Sequence, residues 1–192
     1  MVQRVTQEAD DAVYVAGAVA EAGVFDGAET VAVLGQGAGG FATALLSARP
    51  AVRATVVATP SEIEALIGVH GTPDRLAYEP GTVLSKIESS PDVVLLAEAL
   101  RDLPDADAVH ALRQASAGLA RGGTLLVFGD VLVPELASEH DYEHDLIDFA
   151  LTGGGSRTHD EYLALFAAAG LPGAERTTVG WGYSLYAAKP GI

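Results

Sequence analysis

A glycine-rich loop near the start of the chain has the composition of a nucleotide-binding turn. Apolar residues 31–34 lead into Gly35-Gln-Gly-Ala-Gly39, and an apolar helical pattern follows. Glycine lets the backbone approach a ligand closely, and the first N–H groups of the following helix are free to bind it. Strand, glycine turn and helix in this order are the context that such a loop needs. The residues predicted to contact a cofactor are Gly35, Gln36, Gly37 and Gly39.

The acidic partner of such a loop is missing from the sequence. A ribose normally hydrogen-bonds to a carboxylate near the end of the next strand. The next apolar run, residues 52–58, ends at Ala58 and contains no Asp or Glu. Gly35, Gly37 and Gly40 also fit the pattern of an NAD loop, but Glu62, the nearest acid, falls inside the next helix. Three alternatives stay open: a cofactor held through backbone contacts alone, NAD, or a turn that needs glycine only for its conformation.

The most polar cluster of the chain is His140-Asp-Tyr-Glu-His144. On a helix, His140 and His144 would share one face, as two metal ligands do. No third ligand has a suitable spacing, so no metal is predicted, and a solvated helix surface explains the charges as well. A third interpretation is that one histidine transfers a proton within a substrate pocket. Tyr142 and Trp181 could line an aromatic-ligand pocket, although ordinary packing also explains them.

Predicted strands and helices alternate along most of the chain, and these elements must position the candidate residues named above. The strands are expected at residues 31–35, 53–58, 75–78, 92–97, 124–128, 176–179 and 183–188. Helices are expected at residues 10–23, 39–48, from 61, and at 105–120, 139–151 and 158–169. This alternation predicts an α/β fold, a mostly parallel sheet with helices on both faces. Ligands of such sheets bind beyond the carboxyl ends of the strands, where the strand order reverses.

Composition limits the classes of function. The 192 residues are 49% hydrophobic, which fits one globular domain. A formal net charge of −15 disfavours binding to nucleic acid and to anionic membranes. The absence of cysteine excludes disulfides, thiolate metal sites and cysteine nucleophiles. The sequence has neither the pattern of a signal peptide nor a membrane-spanning apolar run, so we expect a cytoplasmic protein.

Five segments together form a recognisable pattern. They are Gly35-Gln-Gly-Ala-Gly39, Thr55-Val-Val-Ala-Thr-Pro60, residues 91–105, Gly122-Gly-Thr-Leu-Leu-Val127, and Gly154-Gly-Ser-Arg-Thr158 followed by Glu161-Tyr162 and Ala169-Gly170. In this order they resemble the catalytic domain of the SAM-dependent O-methyltransferases of small-molecule metabolism, of the plant caffeate type and the bacterial polyketide-tailoring type. The resemblance implies a Rossmann-like class I methyltransferase fold with seven strands, one of them antiparallel and near the end.

The chain departs from this family where charge or a base is needed. The resemblance places the family's acid before the glycine loop at Val33, its ribose-binding Asp at Ala58, its Asp near adenine at Thr82 and its catalytic His at Arg101. The acid after the fifth strand falls near Gly129, with Asp130 one place away. Alanine and valine accept no hydrogen bond from a ribose hydroxyl, so we expect either no cofactor or weakly bound SAM.

Arg101 and Asp102 occupy the segment in which the family performs its chemistry. Arginine stays protonated and cannot be the base. Its guanidinium could hold an enolate, a carboxylate or a phenolate, although a surface ion pair explains Arg101 and Asp102 equally well. The resemblance also places the helix of His140 and His144 beside the substrate pocket. Arg101, Asp102, His140 and His144 are therefore the predicted catalytic residues.

The family carries an N-terminal helical domain that forms the dimer and covers the substrate pocket. Here an N-terminal helical segment, residues 1–28, with about one helix, precedes the strand that leads into the glycine loop. We therefore expect a single methyltransferase-like domain of residues 1–192 whose cleft is open or is covered by another chain. A small-molecule substrate is expected, together with a homodimer or a methyltransferase-like partner.

The loss of the family's acidic residues and of its catalytic histidine favours a tailoring protein of polyketide-like biosynthesis. We expect that it has been repurposed for a reaction other than methylation, such as cyclisation, rearrangement or proton transfer. In this interpretation Arg101 stabilises negative charge, and His140 or His144 moves protons. Two alternatives stay open. One is an atypical SAM-dependent O-methyltransferase that needs a partner chain, and the other is a non-catalytic subunit that stabilises such a partner.

Overall fold

The computed structural model describes residues 15–180 and 182–191. The strands within them are β1 (Thr30–Gly35), β2 (Arg53–Ala58), β3 (Leu76–Pro80), β4 (Val93–Ala97), β5 (Thr124–Asp130), β6 (Glu175–Gly180) and β7 (Tyr183–Ala188). The helices are α1 (residues 15–21), α2 (Ala38–Ala48), α3 (Pro60–His70), α4 (Asp105–Gly118), α5 (Glu139–Thr152) and α6 (His159–Ala169), with a 3-10 turn at Gly23–Phe25. The predicted alternation is confirmed; the start of the first predicted helix, residues 10–14, lies outside the described residues.

The strands form one sheet in the order β3-β2-β1-β4-β5-β7-β6. The neighbours from β3 to β5 pair in parallel, whereas β7 is antiparallel to both β5 and β6. The predicted class I methyltransferase fold, with its antiparallel strand near the end, is therefore confirmed. The strand order reverses between β1 and β4, so their carboxyl ends flank the crevice where such sheets bind ligands.

The central strands of the sheet are buried on both faces because they are apolar along most of their length. In β1, Val31 and Val33 belong to one apolar layer, while Ala32 and Leu34 belong to the other. The first layer includes side chains of α1 and α2, and the second includes side chains of α4 and α6. Continuous apolar runs are typical of parallel strands covered by helices on both sides.

Asp92 fixes the register of the two central strands at their starting edge. Its Oδ2 accepts hydrogen bonds from the backbone N–H groups of Glu29 (3.0 Å) and Thr30 (2.9 Å) and from Thr30 Oγ1 (2.8 Å). The hydrogen bond from the Thr30 side chain lowers the pKa of Asp92 more than any other contact does. At the opposite edge, Gly35 of β1 pairs with Ala97 of β4.

The predicted end of β5 is wrong by two residues. The strand continues to Asp130 because Gly129 and Asp130 pair with Ser184 and Tyr183 of β7. An antiparallel neighbour can extend a strand beyond its apolar run, which the run itself does not reveal. The extension brings Asp130 to the carboxyl edge of the sheet. None of the helices in the described part of the chain combines the length and apolar character that crossing a membrane requires.

Candidate functional site

The glycine loop connects β1 to α2 and lies against the end of β4. Gly35 has a φ of 100°, and a Cβ there would overlap the carbonyl oxygen of Ala97 and lie 2.9 Å from the Ala99 Cβ. Gly37 precedes α2 with a left-handed φ of 67°, and no side chain caps the helix. The first N–H groups of α2 are therefore open to a ligand. This geometry favours a cofactor site at Gly35 and Gly37.

Two other predicted cofactor residues have structural contacts. A Cβ at Gly39 would lie 2.6 Å from His70 Nε2 and 2.7 Å from the Leu66 Cδ2, so the packing of α2 against α3 already requires glycine there. Gln36 Nε2 donates a hydrogen bond to Asp102 Oδ2 at 2.9 Å. The predicted residues Gln36 and Asp102 therefore meet, and they connect the glycine loop to the segment after β4.

A carboxylate does reach the end of β2, although Ala58 has none. Thr59 caps α3, and Glu62 Oε2 accepts hydrogen bonds from the Thr59 N–H (2.8 Å) and from Thr59 Oγ1 (2.6 Å). Glu62 belongs to the next helix, as expected, but the capping box folds its side chain back to the strand end. The Thr-x-x-Glu spacing was the available signal for this position.

Arg101 lies at the centre of a group of carboxylates. Its Nη1 donates to Asp130 Oδ2 at 2.9 Å, while Nε and Nη2 donate to Asp148 Oδ2 at 3.1 and 2.9 Å. The side chains of Arg101 and Asp130 are 27% and 28% exposed, so this is a half-buried ion-pair network rather than a surface pair. Burial alone would lower the pKa of Arg101, but Asp130, Asp148 and Glu98 together raise it. The guanidinium is therefore firmly charged and already occupied.

Glu98 was not among the residues predicted from the sequence. Its pKa is raised strongly at the carboxyl edge of the sheet. It directly follows β4, and burial and the Asp130 carboxylate together raise its pKa to about 8, against the opposing effect of Arg101. Burial also raises the pKa of Asp130, again against Arg101. Burial, with the charges of Asp130 and Glu98, raises the pKa of Tyr162 on α6. An acid directly after the apolar run of β4 was the signal that could have identified Glu98.

A buried arginine holds the segment after β4 in place. Arg157 is only 6% exposed, and its guanidinium donates to the carbonyl oxygens of Leu100 (2.6 Å) and Leu103 (2.7 Å). The N–H of Gly155 donates to the carbonyl oxygen of Arg101 at 2.7 Å. The glycine-rich segment before α6 therefore positions the residues that surround the crevice.

The histidine cluster lies on an exposed part of α5. The rings of His140 and His144 pack edge to face with their centroids 4.2 Å apart, and both residues are exposed. No group of three potential ligands among residues 15–180 and 182–191 is arranged to hold a metal ion. Tyr142 is 49% exposed, and Trp181 lies outside the described residues. The catalytic assignment of Arg101, Asp102, His140 and His144 stays a prediction, as does the pocket assignment of Tyr142 and Trp181.

A family model, a curated relative and a solved structure that resemble this chain are all of O-methyltransferases. The model of the O-methyltransferase domain family matches residues 3–172. The mitomycin biosynthesis 6-O-methyltransferase of Streptomyces lavendulae is 34% identical over 159 residues, which cover 81% of this chain and 45% of that protein. The structure of the mitomycin 7-O-methyltransferase MmcR superposes with a TM-score of 0.83 at 29% identity, over 94% of this chain and 54% of that one. The chain thus spans about half the length of the relatives that it matches.

One solved structure bears directly on the cofactor. CalO1, a methyltransferase in calicheamicin biosynthesis, was solved in its SAH-bound form and superposes with a TM-score of 0.79 at 25% identity, over 94% of this chain and 54% of that one. The expectation of no cofactor or weakly bound SAM is therefore wrong: the findings point to SAM. That expectation counted only the carboxylates at the family's positions. It overlooked two acids from other positions: Glu62, which folds back to the end of β2, and Glu98, which directly follows β4.

Proposed function

Because the chain belongs to the O-methyltransferase domain family, we propose that it is the SAM-binding domain of a tailoring enzyme that methylates a hydroxyl group of a small molecule. One observation carries the proposal: the uncapped N-terminus of α2, at Gly37, opens onto the crevice between β1 and β4. Two of the relatives are named for methylation in the mitomycin series, which supports a role in natural-product biosynthesis.

The residues at this edge fit SAM chemically. The N-terminus of α2 suits the carboxylate of the cofactor. Glu62, at the end of β2, offers an acceptor for ribose hydroxyls. The sequence had predicted no carboxylate at this strand end, because residue 58 is alanine. Asp102 and Asp130 place carboxylates around Glu98 beyond β4 and β5, which favours a sulfonium cation. SAM bound there would supply an electrophilic methyl group.

In this proposal Arg101 organises the site and is not its base. Its three donating nitrogens are engaged by Asp130 and Asp148, so it fixes the carboxylates from β5 and α5 relative to each other. A reaction other than methylation has no support among the relatives.

The outer face of α5 carries exposed apolar side chains, which indicate a surface that binds another polypeptide. Asp148 faces Arg101, whereas the apolar side chains of the same helix face outwards: Leu146, Ile147, Phe149 and Leu151 are 55–72% exposed. An apolar helix face of this kind is normally covered by protein. We propose that a second polypeptide, either another copy of this chain or a methyltransferase-like partner, covers α5 beside the site.

Sedimentation velocity tests this part of the proposal. A self-associating chain should become monomeric when Phe149 is replaced by Glu, because burying a charge without a partner opposes association. A chain that is monomeric both before and after the change would exclude the homodimer and leave the heteromeric partner to be sought by co-purification.

Calorimetric titration with SAM tests the proposed cofactor. The protein should bind with a dissociation constant of about 1 μM to 1 mM. Gly37→Ala should weaken binding at least tenfold, because a side chain at this left-handed position disturbs the α2 N-terminus. Gly173→Ala is the matched control, since Gly173 is also left-handed (φ 81°), has open space around it and lies in the loop before β6. Failure to bind SAM would overturn the proposal.

Methyl transfer is then assayed by mass spectrometry with labelled SAM and a panel of hydroxyarenes. Formation of a methyl ether that requires the folded protein supports the proposed function. Binding of SAM without any product, in the presence of co-purified partner chains as well, would contradict the methylation step and leave a SAM-binding subunit.

A further inference from the structure

Glu98 occupies the crevice itself. It follows the last residue of β4, and its neighbours Ala97 and Ala99 both pack against Gly35, the first glycine of the loop. The strand order reverses at this point, between β1 and β4. A side chain that leaves the backbone here lies where the fold brings cofactor and substrate together.

The backbone of Glu98 is in a conformation that a non-glycine residue rarely adopts. Its φ is 48°, and its N–H donates to the carbonyl oxygen of Phe128 at 2.9 Å, which holds it in place. Such a conformation costs on the order of 1–3 kcal/mol and is more frequent at functional sites than elsewhere, although Ser90 adopts it here as well. Neither the packing of β4 nor the ion pairs of Arg101 require a carboxylate at residue 98.

One oxygen of the Glu98 carboxyl is buried without a partner. A backbone hydrogen bond from Asp130 reaches the carboxyl, whereas Oε1 is inaccessible and accepts no hydrogen bond within residues 15–180 and 182–191. Oε1 lies 3.8 Å from the position of a Cβ at Gly129, and the Tyr162 hydroxyl lies 2.6 Å from that position. A side chain at residue 129 would therefore clash with the Tyr162 hydroxyl beside Glu98. Asp130 Oδ1 is buried and lacks a hydrogen-bond partner within the same described residues. Once Glu98 ionises, its buried oxygen is a costly acceptor unless a ligand supplies a donor.

We propose that Glu98 accepts the proton of the substrate hydroxyl, the role that the resemblance gives to a histidine at position 101. This inference rests on the proposed function. The O–H bond of the substrate breaks and the proton forms a bond to the Glu98 carboxylate, while the substrate oxygen keeps the electron pair with which it takes up the methyl group. Solvent later removes the proton from the neutral carboxyl.

The surroundings give Glu98 the basicity for this step. Burial and Asp130 raise its pKa to about 8, close to the working pH, where a general base is most effective. The charged or titratable groups around it are Asp130 from β5, Arg101 and Asp102 from the segment after β4, and Tyr162 from α6. A cation bound in the crevice would lower the pKa of Glu98 and so ionise the base when the methyl donor arrives.

SAM and SAH provide a matched pair of probes, because they differ by the methyl group and one positive charge at sulfur. We would follow the Glu98 carboxyl carbon by NMR on protein containing carbon-13 glutamate, with Glu98→Gln to assign the signal. The titration midpoint should be at least about one pH unit lower with SAM than with SAH, since a charge within about 4–6 Å lowers a carboxyl pKa by that much or more. Equal midpoints would overturn the proposal.

By linkage, the ratio of SAM to SAH affinity should rise at least about tenfold as the pH passes through the titration of Glu98. Glu98→Gln should abolish this rise while still binding SAH. Glu175→Gln is the control and should behave as the unmodified protein. Glu175 is exposed on β6, and its pairing with Ala187 places it at the opposite edge of the sheet.

The outcomes separate the two proposals. Binding of neither SAM nor SAH would overturn the proposed function and this inference together. Binding of both with equal Glu98 midpoints would overturn the inference alone. For any hydroxyarene that is methylated, Glu98→Gln should lower kcat by about 10²–10⁴ with little change in the KM for SAM. An unchanged kcat would also overturn the inference.

Discussion

Replacing Glu98 by glutamine should make the stability of the domain less dependent on pH. Burial, aided by the Asp130 carboxylate, raises the pKa of Glu98 from 4.5 to about 8 in the folded protein. Between these values the folded protein holds a proton that the unfolded chain has released. The contribution of the Glu98 carboxyl to the free energy of unfolding is therefore fully present below about pH 4.5. It has been lost once the pH has risen through about 8. Glutamine keeps the shape but cannot ionise, so the variant avoids this loss.

The size of the effect follows from the two pKa values. A difference of about 3.5 in pKa corresponds to about 5 kcal/mol in the free energy of unfolding. Relaxation of the site and partial entry of water reduce such values, so we expect about 2–4 kcal/mol. Because a small domain has a total stability of about 5–15 kcal/mol, a change of this size is readily measured.

Urea unfolding at about pH 5, 7 and 9 measures the difference between the variant and the unmodified protein. The gain from Glu98→Gln should increase steadily from the lowest to the highest pH. Comparing the two proteins at each pH cancels the titration of all other groups. Glu175→Gln should follow the unmodified protein throughout. If Glu98→Gln changes stability by the same amount at every pH, the carboxyl is not buried beside Asp130 as described.

Three further predictions concern the elements that position the site. Gly35→Ala should destabilise the domain by about 2–4 kcal/mol in urea unfolding, because its Cβ would overlap the β4 backbone, whereas Gly40→Ala, in open space on α2, should be neutral or stabilising. Arg157→Lys should cost about 2–4 kcal/mol and release the segment after β4 to faster amide exchange, because lysine cannot reproduce the two carbonyl contacts. Asp92→Asn should cost about 1–3 kcal/mol at neutral pH, and this cost should shrink as the pH falls through the lowered pKa of Asp92, where the native carboxylate also becomes protonated.

Periodicity and glycine placement were enough to predict the alternating α/β sheet, because both follow from local rules, whereas the antiparallel strand was predicted only from the family resemblance. The run of residues 93–97 is apolar at every position, which only a strand buried on both faces requires. The glycines at 35 and 37 marked a left-handed turn into a helix, and both have positive φ. The strand end at Asp130 was missed because its pairing partner in β7 lies more than fifty residues away.

The site was harder to predict because its acids come from positions that the sequence pattern does not connect. Matching the family position by position showed losses at Ala58 and Gly129. The structure instead brings carboxyl groups to these places from Glu62, through a helix cap, and from Glu98, through a left-handed backbone. Only the three-dimensional arrangement shows that Glu62 and Glu98 lie near Ala58 and Gly129, because they are at other positions in the sequence. Arg101 was recognised as important, but its partners on β5 and α5 could not be read from the sequence.

The most direct test of the central claim is an amide NMR titration of the folded domain with SAH. If the cofactor is held by the N-terminus of α2, the N–H signals of Gly37, Ala38 and Gly39 should shift on binding, together with that of Glu98 after β4. Signals at the opposite edge, such as that of Glu175, should stay unchanged. Saturating SAH that leaves the glycine-loop signals in place would contradict the account.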